Sequence, residues 1–224
     1  MTKGDARLTA SGERVNVASA SGAAVPPGPI RVQLVLAAAG LVRRAASALA
    51  REIVEEKARE AWAESRDEAP PDRWTWGRTD AGKPHLVELP EFQFSVSHAG
   101  PYVGAAFASG PCGLDVEPAD RPVDLAVARR FAPDERDYVS SGPPSSQASR
   151  FLEIWTKKEA YLKWTGAGVG AGLAAFSVLD PAGLGAVFLS LSRGPGGDLI
   201  GWVCARAEFG AAGLREEWST AQGG

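Results

Sequence analysis

The sequence predicts an α+β fold built from two similar halves in a pseudo-twofold arrangement, each with helices packed on a small, mostly antiparallel sheet. Helical and strand patterns come in blocks, helices then strands and again helices then strands, rather than alternating singly. The strand-like runs are bounded by Gly-Lys-Pro and Gly-Pro turn signals, which suit hairpins. With 224 residues, 45% of them hydrophobic and 23% charged, the chain is long enough for a real core. The expected limits are a loose segment at 1–29, an N-terminal half at 30–110, a C-terminal half at 111–216 and a frayed tail at 217–224.

Residues 1–29 are rich in Ala, Ser and Gly and finish Val25-Pro-Pro-Gly-Pro29, a composition that builds little core and breaks helices. From Arg31 to Arg66 the pattern reads as helical, either one long bent helix or two short ones: Leu34 to Arg44 is Ala- and Leu-rich, and Arg51 to Arg59 is amphipathic. Beyond Pro70-Pro71 strands take over, at Trp74–Arg78, Phe92–Ser97, Tyr102–Phe107 and Gly113–Glu117. Asp80-Ala-Gly-Lys-Pro84 is turn chemistry. Helical spacing returns from Val123 to Ser140, broken by Pro133, and from Ala148 to Thr165, where Gly166 stops it. A Gly-rich loop over 166–172 then leads to strands expected near Phe176–Leu179, Ala186–Leu191 and Leu199–Ala205.

A net charge of −3 gives no general pull toward nucleic acid or an anionic membrane, so any anion site must be local. Cys112 and Cys204 lie far apart with no CxxC spacing and read as reduced, buried thiols. Lys3 and Arg7 are followed by no apolar leader core, and no run approaches the roughly 20 apolar residues of a membrane span. A cytoplasmic protein is the expectation.

The chemistry is concentrated in two acidic motifs. Asp115 and Glu117, two apart on a short strand, emerge on one face, with Leu114 and Val116 on the other. Such close carboxylates repel unless a cation lies between them. Without neighbouring His or Cys they are hard oxygen ligands suited to Mg²⁺, and the plain alternative is a solvated strand face. In Trp155-Thr-Lys-Lys-Glu-Ala-Tyr-Leu-Lys163, Glu159 and Lys163 are i and i+4 on one helix face, which on its own could be a surface ion pair. Ser97-His98 closes a strand, where a histidine can be either a hydrogen-bonder or a ligand. Lys83 sits in a turn, and Gly82-Lys83 lacks the rest of a phosphate-loop pattern. The loop at 166–172 lacks the strand-to-helix context of a dinucleotide site and reads as a connection.

Gly82-Lys-Pro84, Phe94-Ser-Val-Ser-His98, Gly113-Leu-Asp-Val-Glu117 and Trp155 to Lys163, in this order and with these gaps, resemble the signature of the 4′-phosphopantetheinyl transferases. The nearest branch is the one that activates surfactin synthetase. The resemblance implies an enzyme that moves the phosphopantetheine arm of coenzyme A onto a serine of an acyl or peptidyl carrier protein of polyketide, nonribosomal peptide or fatty acid synthesis. It implies Mg²⁺, or Mn²⁺, held by Asp115, Glu117 and Glu159. Lys163 would neutralise the pyrophosphate, and Glu159 would act as base. Asp115, Lys83, Ser97 and His98, with Arg78 and Arg31, are implied in binding coenzyme A, with Arg31 leading a helix. Glu135 matches a further acidic position near the metal. The family's basic residues ahead of that helix fall here on Val17 to Gly22, which has none. Arg129, Arg130 and Arg136 are candidate docking charges for an acidic carrier, the plain alternative being solvated helix charges. A monomer is expected. The rival readings are a Mg²⁺ phosphohydrolase of nucleotides and a non-catalytic module that binds coenzyme A or a carrier.

Overall fold

The computed structural model describes residues 28–37, 42–168, 172–195 and 197–221. The expected loose segment lies almost wholly outside them, as do Lys3, Arg7, Val17 to Gly22 and the middle of the Gly-rich loop. The described chain runs β1 (Ile30–Ala37), α1 (Arg43–Ser65), β2 (Trp76–Arg78), β3 (Pro84–Leu86), β4 (Gln93–Ala99), β5 (Tyr102–Ala108) and β6 (Cys112–Pro118). A 3₁₀ turn (Leu125–Arg130), α2 (Pro133–Ser140), α3 (Pro144–Thr165), β7 (Ala186–Ser190), β8 (Leu199–Arg206), a second 3₁₀ turn (Ala207–Gly210) and β9 (Leu214–Ala221) follow. No helix among these residues is long and apolar enough to cross a membrane.

The class is α+β. One sheet has the order β4-β5-β1-β9, another β6-β8-β7, and β2 and β3 form a hairpin. Strand alternation explains the layers. Val35, Val103, Ala105 and Phe107 face α1, where Ile53, Val54 and Trp62 cover them. Ile30, Val32, Leu34, Tyr102 and Ala106 face the other way and pack on Leu114, Val116, Leu199 and Val203 of the second sheet. On the far side of that sheet lies α3, with Ala160 against Ala186 and Cys204. The result is helix, sheet, sheet, helix.

Three sequence expectations need correction. Residues 30–37 are a strand, not the start of a helix, because alternate side chains of this stretch fill both cores and its backbone pairs with β5 and β9. The arginine-led helix begins at Arg43, so Arg31 sits on β1. The stretch between them, Ala38 to Val42, carries no basic residue. The expected frayed tail is strand through Ala221. It lies parallel to β1, so the C-terminal segment completes the N-terminal sheet. Finally, Phe176–Leu179 forms turns rather than a strand: the Val178 amide donates to Glu135 and Lys158 donates to the carbonyls of Leu173 and Phe176.

Both cysteines are buried free thiols, as expected. Burial pushes Cys112 up to about 12, so it carries no thiolate at neutral pH.

Candidate active site

The site is built on the seam where β6 meets both β4 and α3. Gly113 brings the helix in: a Cβ there would lie 1.9 Å from the Ala160 carbonyl oxygen and 2.4 Å from the Trp164 nitrogen, so only glycine allows this approach. The next helical turns then project Glu159 and Lys163 toward Asp115. Lys163 Nζ lies 2.7 Å from Asp115 Oδ1 and donates to the Leu114 carbonyl at 2.9 Å and to Ser97 Oγ at 3.1 Å. Ser97 Oγ in turn donates to Asp115 Oδ1 at 2.9 Å. The two motifs read from sequence therefore meet on one carboxylate.

Asp115 is 6% exposed, and its other oxygen, Oδ2, is buried without a hydrogen-bond partner. Burial, and then the Asp115 charge, raise both neighbouring glutamates, Glu117 to about 7. Arg121, which pairs with Glu117, opposes the shift there, and Lys163 opposes it at both. Among the described residues no three His, Cys, Asp or Glu side chains close into a ready-made ligand set. An orphaned buried carboxylate oxygen beside two glutamates that are each repelled by Asp115 is still a donor set that fits a hard cation, which needs only one or two protein carboxylates.

Glu159 and Lys163 line a cavity of ≈ 160 Å³ together with Lys83, Ser95, Phe94 and Leu162. Lys83 Nζ donates to the Cys112 carbonyl at 3.0 Å, and burial lowers its pKa. His98 faces α1, with Nε2 3.1 Å from Ser47 Oγ. Burial, then the Arg43 and Lys163 charges, hold the imidazole below its usual range. Arg43 and Ser47 were not found by sequence reasoning; the signal was the Arg43-Arg44 pair opening α1.

Other expected residues are elsewhere. Arg78 donates to the Gly82 carbonyl at 2.7 Å and so shapes the turn that presents Lys83. Arg31 lines a separate cavity with Lys57, Glu60, Arg215 and Glu217. Glu135 is fully buried: it pairs with Lys158 at 2.7 Å and accepts the Ala132 and Val178 amides, both at 2.8 Å. Its oxygens are committed to holding α2, α3 and the 172–179 loop together, which leaves it no part in the Asp115 cluster. Lys158, adjacent to Glu159 but turned inward, gave no signal in the apolar spacing of α3.

Residues 111–196 match the family model of the 4′-phosphopantetheinyl transferase superfamily. The chain is 40% identical over 97 residues to 4′-phosphopantetheinyl transferase psf-1 of Bacillus pumilus, covering 43% of this chain and 41% of that protein. It is 36% identical over 98 residues to 4′-phosphopantetheinyl transferase Sfp of Bacillus subtilis (strain 168), covering 43% of each. With 4′-phosphopantetheinyl transferase gsp of Aneurinibacillus migulanus the identity is 34% over 94 residues, 41% of this chain and 38% of that protein. In each case the chain spans less than half of the relative's length. Residues 111–196, which carry Asp115, Glu117, Glu159 and Lys163, are similar to the 4′-phosphopantetheinyl transferase superfamily, and the similarity lies with the Sfp-like transferases.

Proposed function

We propose that this chain transfers the 4′-phosphopantetheine arm of coenzyme A to a serine of an acyl or peptidyl carrier protein and releases adenosine 3′,5′-bisphosphate. The observation that carries the reading is the pairing of Lys163 with Asp115 across the seam, beside Glu159 and an unpartnered Asp115 Oδ2. The names of the relatives support the same chemistry.

Asp115, Glu117 and Glu159 would hold Mg²⁺ or Mn²⁺, which when bound supplies positive charge to the pyrophosphate. Attack of a serine oxygen on phosphorus needs little covalent help, so the chain's own task is to position and neutralise. Lys163 and Lys83 line the cavity and provide donors and positive charge for the phosphate groups, with the His98 imidazole and the Arg43 charge that acts on it as further donors toward α1. The serine oxygen forms a bond to the pantetheine-bearing phosphorus as the bridging P–O bond to the nucleotide breaks. Glu159, raised in pKa by burial and by Asp115, takes the serine proton.

Arg129, Arg130 and Arg136 are exposed beside the exposed Leu125, a basic and partly apolar face suited to an acidic carrier helix. Carriers of polyketide, nonribosomal peptide or fatty acid synthases are the partner class, and a cytoplasmic monomer is the working form. The test is chromatography of coenzyme A incubated with this protein and Mg²⁺, with and without an apo carrier. Adenosine 3′,5′-bisphosphate released only with carrier supports transfer. Carrier-independent release of phosphate would indicate a phosphohydrolase, and binding of coenzyme A without turnover would indicate a binding module.

A further inference from the structure

Strands β4 and β6 are edges of two different sheets, and among the described residues no backbone ladder joins them. Side chains satisfy the outward groups of β6 instead. Ser95 Oγ accepts the Leu114 amide at 2.9 Å, and Ser97 Oγ accepts the Val116 amide at 3.3 Å. The Cys112 and Leu114 carbonyls are taken by Lys83 and Lys163. Asp115 therefore hangs between two amides that are each pinned by a serine of β4.

We infer that Ser95 is a positioning residue for the Asp115 and Glu117 carboxylates. Ser97 touches Asp115 and Lys163 directly, whereas the hydrogen bond of Ser95 goes to the backbone one residue before Asp115. Ser95 is 5% exposed, so removal of its hydroxyl leaves the Leu114 amide buried and unsatisfied. The strand must then move to find another acceptor, and the direction of both carboxylates moves with it. Outer residues that fix the orientation of ligands have this effect on metal affinity. The inference rests on the carboxylate site proposed above.

The test uses the full chain and Mn²⁺ as probe, with free and bound ion distinguished by electron paramagnetic resonance. Ser95→Ala should weaken Mn²⁺ binding on the order of tenfold. Ser95→Thr, which keeps the oxygen, should restore it. Val103→Ala, which opens a cavity in the core facing α1, should lower stability but leave Mn²⁺ affinity at the wild-type value. Wild-type Mn²⁺ affinity in Ser95→Ala, or equal weakening in Val103→Ala, would each overturn the inference. No Mn²⁺ binding by the wild-type chain would overturn the carboxylate site itself, and the inference with it.

Discussion

Lys163 Nζ stands 2.7 Å from Asp115 Oδ1 and 2.9 Å from the carbonyl of Leu114, so one ammonium closes both a buried carboxylate and a free strand edge. Its loss should therefore be felt twice. Lys163→Met should lower phosphopantetheine transfer on the order of a hundredfold or more, the usual effect of removing a charge stabiliser. It should also destabilise the fold by leaving Asp115 unpaired. Adding Asp115→Asn should recover stability in urea titrations without recovering transfer. Recovery of both would reduce the pair to a structural role.

The contact of α3 with β6 is equally specific. Gly113→Ala places a methyl group inside the helix backbone, and backbone cannot rotate away as a side chain can. Overpacking of this kind costs about 1–3 kcal/mol or more. A lowered unfolding midpoint accompanied by weakened transfer is expected. Unchanged stability would mean that α3 sits farther from the sheet.

The pH dependence of stability has a defined sign at Glu117. Burial and Asp115 raise its folded pKa to about 7, above its unfolded value. The stability gained by holding that proton is full below the unfolded pKa and is lost as pH rises through the folded one. In chelator, Glu117→Gln should leave stability nearly unchanged at pH 5, where Glu117 is already neutral, and should stabilise the protein at pH 8. Urea titrations at both pH values check this. An equal effect at both would show that Glu117 does not titrate between them.

How much of this was legible depended on whether the cause was local. Asp115 with Glu117, and Glu159 with Lys163, were readable because strand and helix periods fix which side chains share a face. The strand at Ile30–Ala37 was not, since its Ala- and Leu-rich composition runs on toward α1 and only pairing with distant β5 and β9 decides its state. Strand β9 was misread for the same reason. Nothing local marks Lys158 and Glu135 as partners, and the resemblance points Glu135 toward the metal instead; they become a fully buried pair only when α2 and the 172–179 loop fold over α3. Ser95 was passed over because its partner is a backbone amide on another sheet.

Carrier docking makes a separable prediction. Arg129, Arg130 and Arg136 are exposed, and no acidic side chain pairs with them among the described residues. Replacing all three with Glu should raise the apparent KM for carrier much more than that for coenzyme A, since like charge then meets an acidic partner. Steady-state kinetics with each substrate varied in turn measures the difference. Equal effects on both would remove this face from the interface.

The most direct measurement is intact-mass spectrometry of a purified apo carrier protein incubated with coenzyme A, Mg²⁺ and this chain, with Glu159→Ala alongside. The site described here predicts a mass gain of one phosphopantetheine per carrier that disappears in the variant and in chelator. Carriers left unmodified while coenzyme A still binds, or full modification by Glu159→Ala, would contradict it.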